Sequence, residues 1–500
     1  MRSSNYAILL WGGLRTIGDE QMRRGTSGGT AAPGVPGGAP GPDRPPARSI
    51  ALSPSPSAVA RAEPTVRHGA RLVLILGALS AFAPLSIDMY LPALPALGHD
   101  FGAGASQVQF TLSSCLLGLA LGQLAAGPVS DALGRRRPLL VGVAAYAIAS
   151  LLCVVAPSVG ALILLRFVQG LGGAAGIVIS RAIVRDLHAG VAAARFFSLL
   201  TLVNGLAPIL APVIGAQLLR VTSWRGVFVA LAVIGALLLL AAATGLGETL
   251  APEDRRTGGV SATLATFRQL LTNRLFVGYA LSSGLAFAAM FAYISGSPFV
   301  LQGIYGVSPQ LFSVLFGANA LGLVVVSQIN GRLVGRVSMR LLLTVGLIAT
   351  AGGGAALLAV VAAGVGLVGV LPALFVVVSS LGVVLPNATA LALSGQPSTA
   401  GSASALLGVL QYSVGAAVAP LVGLGGVRTA LPMALVIAVL GIGALTAFAL
   451  LASSHADAST SSDDTEQSAL FAASPRVTLR DTDDGTTRGT EGSGSRGLSS

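Results

Sequence analysis

The sequence predicts an all-α membrane protein of twelve transmembrane helices in two six-helix bundles, with disordered N- and C-terminal tails. Three observations predict it. Of 500 residues, 53% are hydrophobic and 10% are charged, with mean hydropathy +0.80; soluble domains carry about 25% charged residues. Twelve apolar runs of about twenty residues follow one another, the length a helix needs to cross roughly 30 Å of hydrocarbon. The longest polar interval between them, Gly247 to Arg274, divides them six and six.

Taken in order, residues 1–70 are rich in Gly, Pro, Ala and Ser and read as a disordered tail. Their one apolar patch, Tyr6 to Trp11, is too short to span a bilayer. The N-terminal bundle, 71–246, takes spans near 72–92, 108–128, 138–157, 160–182, 196–218 and 226–246. A central cytoplasmic loop covers 247–274. The C-terminal bundle, 275–452, takes spans near 275–299, 309–329, 340–362, 366–392, 400–424 and 428–452. Residues 453–500, rich in Ser, Thr and Asp, read as a second disordered tail.

Charge supports this topology. The net charge is +11 and every basic residue is arginine. The two tails cancel, so the excess sits on 71–452. With both termini cytoplasmic, thirteen arginines fall in inner loops, from Arg135 to Arg340, and three in outer loops: Arg220, Arg225 and Arg428. That is the positive-inside pattern of a multi-pass protein in the bacterial inner membrane, and not the local basic run of a nucleic-acid-binding arm. Sixty-five glycines show no Gly-X-Y register, which excludes collagen. Cys115 and Cys153 lie in apolar runs and the four histidines are scattered, which excludes a disulfide scaffold and a metal cluster.

The loop after the second span reads GPVSDALGRRRP, Gly127 to Pro138. Gly127 would allow close helix approach. Asp131 can cap a helix end and meet the arginines at a cytoplasmic gate, so that Gly127, Asp131, Gly134, Arg135 and Arg136 form the candidate gate motif; Arg136 and Arg137 could instead only anchor topology. The run resembles motif A of the major facilitator superfamily. Three further runs resemble the drug/proton antiporter signatures of that superfamily: SIDMYLPALP (Ser86 to Pro95), RFVQGLGGAAG (Arg166 to Gly176) and NGLAPILAPVIGA (Asn204 to Ala216). In the last, Ala211 and Ala216 stand where glycine is usual, which implies looser helix contact. FAYISGSPFVLQGIYGVSP (Phe291 to Pro309), with PNATALAL and GSASALLGVLQ, resembles the bicyclomycin/chloramphenicol-resistance (Bcr/CflA) branch. The second-half copy of motif A, Asn330 to Arg336, has lost its aspartate. The resemblance implies the major facilitator fold, an inverted repeat with a central cavity between its halves.

Of seven acids in 71–452, only Asp88 sits well inside an apolar run. An ionisable group at such depth costs at least about 2.5 kcal/mol and is a site hypothesis by default. Arg166 in the fourth span lies at a similar height. Two readings stay open: Asp88 carries the proton with Arg166 tuning it, or the two form a buried ion pair that fixes packing. Pro84 and Pro92 flank Asp88 and should loosen its helix. Gly205, Pro208, Pro212 and Gly215 should bend the fifth span.

The C-terminal half has no charge within a span. Tyr293, Ser295, Asn319, Asn387 and Gln411, with Gln328 and Tyr412, form a weak candidate lining for amphipathic ligands; each singly could equally bond a neighbouring helix backbone. The glycines of GLGGAAG lie inside a span and read as helix packing at Gly172 and Gly176, not as a dinucleotide fingerprint. There is no Walker motif and no catalytic constellation, so ATP-driven transport and an intramembrane enzyme are disfavoured, and no cofactor is expected. The sequence-level function is proton-coupled multidrug efflux of small amphipathic compounds by alternating access. The alternative is a proton-coupled exporter or symporter of a metabolite such as an amino acid. The expected partners are drug-like molecules, protons and lipid; a twelve-helix unit needs no second copy to make a pathway.

Overall fold

A computed structural model describes residues 66–188, 190–255, 260–396, 399–425 and 428–452. Nearly all of both expected tails lies outside these residues. The described chain is helical throughout and contains no strand. Eleven helices are long and apolar enough to cross a membrane, and a bent pair at the start makes a twelfth.

The first span is where the chain departs most from expectation. A helix begins at Val66, inside the stretch read as tail, and ends at Ser80; a second runs Phe82–Asp88, a 3-10 turn follows at Leu91–Ala93, and Leu94–Phe101 completes the span. The segments on either side of Ala81 meet at 45°. Proline explains the breaks. Pro84 has no N–H for the Ser80 carbonyl and Pro92 none for that of Asp88, so the ladder fails four residues before each. The reach to Phe101, beyond the expected end near 92, follows from restarting the helix at Leu94 with Pro95 in its first turn, where the missing N–H costs nothing.

The remaining spans are Ala105–Leu133, Arg136–Val154, Val159–Leu187, Gly190–Leu218, Trp224–Gly245, Arg274–Ser297, Pro309–Leu333, Met339–Ala362, Leu367–Ser394, Ala400–Val422 and Leu431–Leu451. Side-chain oxygens of Ser158, Ser223, Asn273, Ser308 and Ser338 accept from first-turn amides and set five helix starts. The seventh span continues past Pro298 as a π-helical stretch to Ile304. The central loop carries a helix of its own, Val260–Thr272, which buries Phe267 and Leu270 against the C-terminal half.

Glycine sets how closely the helices approach. A Cβ on Gly118 would stand 2.2 Å from the Phe167 carbonyl oxygen, and one on Gly170 2.1 Å from that of Cys115, so the second and fourth spans touch backbone to backbone. Gly172 meets Gly142 in the third span and Gly176 meets the Phe82 ring, as the packing reading of GLGGAAG requires. Gly127 is different: open space surrounds the position of its Cβ, so no helix approaches there.

Candidate functional site

Two ends can be told apart by composition. One gathers Arg135–Arg137, Arg181–Arg195, Arg255–Arg274 and Arg332–Arg340 and is the arginine-rich end; the other holds Arg220, Arg225 and Arg428.

Between the ends lies a cavity of about 290 Å³. The broken first span contributes Ala83, Pro84 and Asp88, the fifth Asn204, Gly205 and Pro208, and the C-terminal half Phe287, Met290, Phe291, Tyr293, Phe316 and Tyr412. Asp88 is 6% exposed and, among the described residues, is the one charged residue on this wall. Its carboxylate forms no hydrogen bond or ion pair among the described residues.

Arg166 is not paired with Asp88. Fully buried, it donates from Nη2 to the Ser86 carbonyl at 2.8 Å and from Nη1 to Gln169 Oε1 at 2.5 Å. Its guanidinium carbon lies 5.0 Å from the Tyr90 ring centroid and 5.7 Å from that of Phe228. The Ser86 carbonyl is among the last of its helix, which lack an intrahelical donor; Arg166 supplies one. Gln169 in turn donates to Ser150, and Ser86 Oγ bonds Tyr146 at 2.9 Å. The arginine thus holds the chain two residues before Asp88 and not the carboxylate itself.

The proline–glycine run of the fifth span is one connected surface. Gly205 and Pro208 line the cavity; the Pro212 carbonyl accepts from Ser313 of the eighth span at 2.9 Å; a Cβ on Gly215 would lie 1.9 Å from the Met89 carbonyl oxygen. Ala211 and Ala216, which stand where glycine is usual, are fully buried. The weak candidates of the C-terminal half separate. Tyr293 lines the cavity and Asn319 donates to its hydroxyl at 2.8 Å. Ser295 is buried away from the cavity, bonded to Ala292, because its face of the seventh span packs on the second. Asn387 is tied to Asn330 at 2.6 Å and to the Val383 carbonyl, a bond between helices near the arginine-rich end. Gln411 is partly buried and is not on the cavity wall; its neighbour Tyr412 is. The sequence reading missed Asn204 and the wall of Phe287, Met290, Phe291 and Phe316. Their signal was helical phase: 287, 290, 291 and 294 share one face with Tyr293 beside it.

Among the described residues, four hydrogen bonds join the halves at the arginine-poor end: Ser106 Oγ to the Pro420 carbonyl (2.7 Å), Gln109 Nε2 to that of Ser295 (3.1 Å), Gln310 Nε2 to that of Ala216 (3.2 Å), and Ser313 to Pro212. Gly423 seats against Ser106, where a Cβ would stand 2.5 Å from the amide nitrogen.

At the arginine-rich end Arg135 bonds Asp131, Asp186 (Nε–Oδ2 2.9 Å) and Ser130. Gly134 turns the chain with φ 89°. Glu248, just past the sixth span, accepts from the Arg135 amide at 2.7 Å and from those of Arg136, Thr249 and Leu250. Burial works to raise the Glu248 carboxyl, but these amides outweigh it and hold the group below its ordinary value. Arg136 donates to the Ala243 and Leu246 carbonyls and closes the sixth helix. So Gly134, Asp131, Arg135 and Arg136 meet, and Gly127 stands apart from them.

Residues 76–420 match the Major Facilitator Superfamily. An uncharacterized MFS-type transporter of Bacillus subtilis (strain 168) is 43% identical over 390 residues, 77% of this chain and 97% of the relative. A bicyclomycin resistance protein homolog of Haemophilus influenzae is 34% identical over 364 residues, 72% of this chain and 91% of the relative. Among solved structures, a D-xylose–proton symporter superimposes with TM-score 0.62 at 14% identity, covering 77% of this chain and 98% of that one, a likeness of fold. Two bundles about an apolar cavity, a motif A turn clamped by acids, and relatives matched over nine-tenths of their length converge: this chain belongs to the major facilitator superfamily, alongside its Bcr/CflA-type members.

Proposed function

We propose that this transporter exports small amphipathic compounds across the bacterial inner membrane by alternating access, in exchange for protons that bind at Asp88. The observation that supports this best is a carboxylate, 6% exposed and without a partner among the described residues, on a cavity wall where they place no other charge. Aromatic and aliphatic side chains there suit varied apolar ligands, while Asn204, Tyr293 and Tyr412 offer hydrogen bonds. A carboxylate without a fixed cation can exchange its proton with whichever side the cavity faces. Arg166 holds the backbone that presents it, and the motif A cluster is the cytoplasmic gate.

With the arginine-rich end cytoplasmic, the four-bond seal closes the outer side. The cycle then requires these bonds to break while Asp88 is ionised and drug is bound, so that drug release outward accompanies proton uptake, and to re-form once Asp88 is neutral. Exchange of one proton for a neutral drug also draws on the membrane potential, about 2.3 kcal/mol per 100 mV per charge. The relatives named for bicyclomycin and chloramphenicol resistance favour drug export over the metabolite alternative. In proteoliposomes, Asp88→Asn should abolish export driven by a pH gradient while the protein stays folded and monodisperse. Undiminished coupled export by that variant would overturn the reading.

A further inference from the structure

A proton that is to move two bundles must be felt by both, yet among the described residues the C-terminal half places no charged side chain on the cavity wall. It places Tyr293 there, from the seventh span, in the cavity that holds Asp88 of the first. The phenol is held from two directions. Its ring stacks on Phe316 with centroids 5.5 Å apart, and Asn319 donates to its oxygen at 2.8 Å. A phenol has a single O–H to donate. With Asn319 donating to the phenol oxygen, the phenol O–H has no acceptor among the described residues, and the Asp88 carboxylate has no donor among them.

Of the other polar groups near Asp88, Arg166 spends both terminal nitrogens on Ser86 and Gln169, with its Nε unpartnered among the described residues, and Tyr90 pairs with Thr111 at 3.2 Å.

Resting on the proton-carrier role of Asp88, we infer that Tyr293 is the positioning residue through which the C-terminal half reads the charge on Asp88: its O–H, aimed by Asn319, donates to the ionised carboxylate and loosens when that carboxylate takes up a proton. The exchanged proton comes from and returns to water, and the Tyr293 O–H bond is never broken. A hydrogen bond to the charged acceptor is roughly twice as strong as its neutral counterpart. Ionisation therefore draws the seventh span toward the first, and protonation relaxes that pull.

The test labels full-length protein in proteoliposomes with dicyclohexylcarbodiimide, which attacks protonated carboxyls at membrane depth. The adduct is quantified against pH by mass spectrometry and assigned to Asp88 by its loss in Asp88→Asn. Removing a charge-assisted donor should move the half-labelling pH of Tyr293→Phe upward by about one unit. Asn319→Ala, which frees the hydroxyl to rotate, should move it the same way by less. Tyr412→Phe, a change of the same size in the same cavity, should leave it in place. An unmoved midpoint in Tyr293→Phe, or an equal shift in Tyr412→Phe, overturns the assignment while leaving the carrier role of Asp88 standing. Wild-type labelling of Asp88 that does not depend on pH would instead remove the carrier role, and this inference with it.

Discussion

Gly423 lies where the eleventh span meets the second at the arginine-poor end, and a single methyl there should bias the transport cycle. Its φ of −81° and ψ of −5° are open to any residue, so Gly423→Ala strains no backbone of its own. The added carbon would stand 2.3 Å from Gln109 Oε1, 2.5 Å from the Ser106 nitrogen and 2.7 Å from the Ser106 Cα. A side chain could turn away; a main chain cannot without parting the two helices. Overpacking of this kind costs about 1–3 kcal/mol, and helix separation also endangers the bond from Ser106 to Pro420. Because the clash exists only while this end is shut, the cost falls on one conformation. That corresponds to a shift of about 5- to 150-fold toward the state open at this end. The assay is double electron–electron resonance in nanodiscs between spin labels on Arg220→Cys and Val365→Cys, both exposed at this end on opposite halves. Cys115 and Cys153 are buried. The longer-distance population should grow in Gly423→Ala and stay unchanged in Gly401→Ala, whose Cβ meets nothing. A folded Gly423→Ala protein with the wild-type distribution would refute the reasoning, because it would show the seal absorbing the methyl without opening.

Two further outcomes test the packing and the clamp. Gly118→Ala places carbon 2.2 Å from the Phe167 oxygen and should lower the melting temperature in detergent, whereas Gly127→Ala, in open space within a helix, should hold or raise it; equal melting temperatures would mean that the second and fourth spans separate freely. Glu248 is held below its ordinary carboxyl value in the folded protein, so its contribution is present above the unfolded value and is lost as pH falls through the folded one. Glu248→Gln should therefore lose at most about 1 kcal/mol at neutral pH, because solvent screens an exposed group. It should also flatten the loss of stability on acidification, read by thermal melts across pH; an acid limb as steep as wild type would show that Glu248 contributes nothing to it.

Much of this architecture is legible in the chain because lipid makes it so. Backbone groups in hydrocarbon must bond within their own helix, so each span has to be a continuous run of apolar residues, and runs can be counted. The break around Asp88 was visible in Pro84 and Pro92, though not its angle. Side-chain facing was the hidden part. Asn319 and Asn387 are the same residue type in similar runs, yet one aims Tyr293 at the cavity and the other ties to Asn330. Only the rotation of each helix, set by glycine contacts with its neighbours, separates these outcomes. Glu248 was passed over as a loop acid because its partners are main-chain amides, which every residue carries. Arg166 was matched to the nearest acid in height, whereas the helix end beside it offered an unsatisfied carbonyl.

Each of the four bonds at the arginine-poor end pairs a side chain from one half with a main-chain oxygen of the other, two donors coming from each side. Substitution can delete a donor but can never delete a peptide oxygen. Half of every such contact is therefore immune to genetic drift, and in these bonds the replaceable half is Ser106, Gln109, Gln310 and Ser313. None of the four lines the cavity, so its wall can change in sequence without touching these donors.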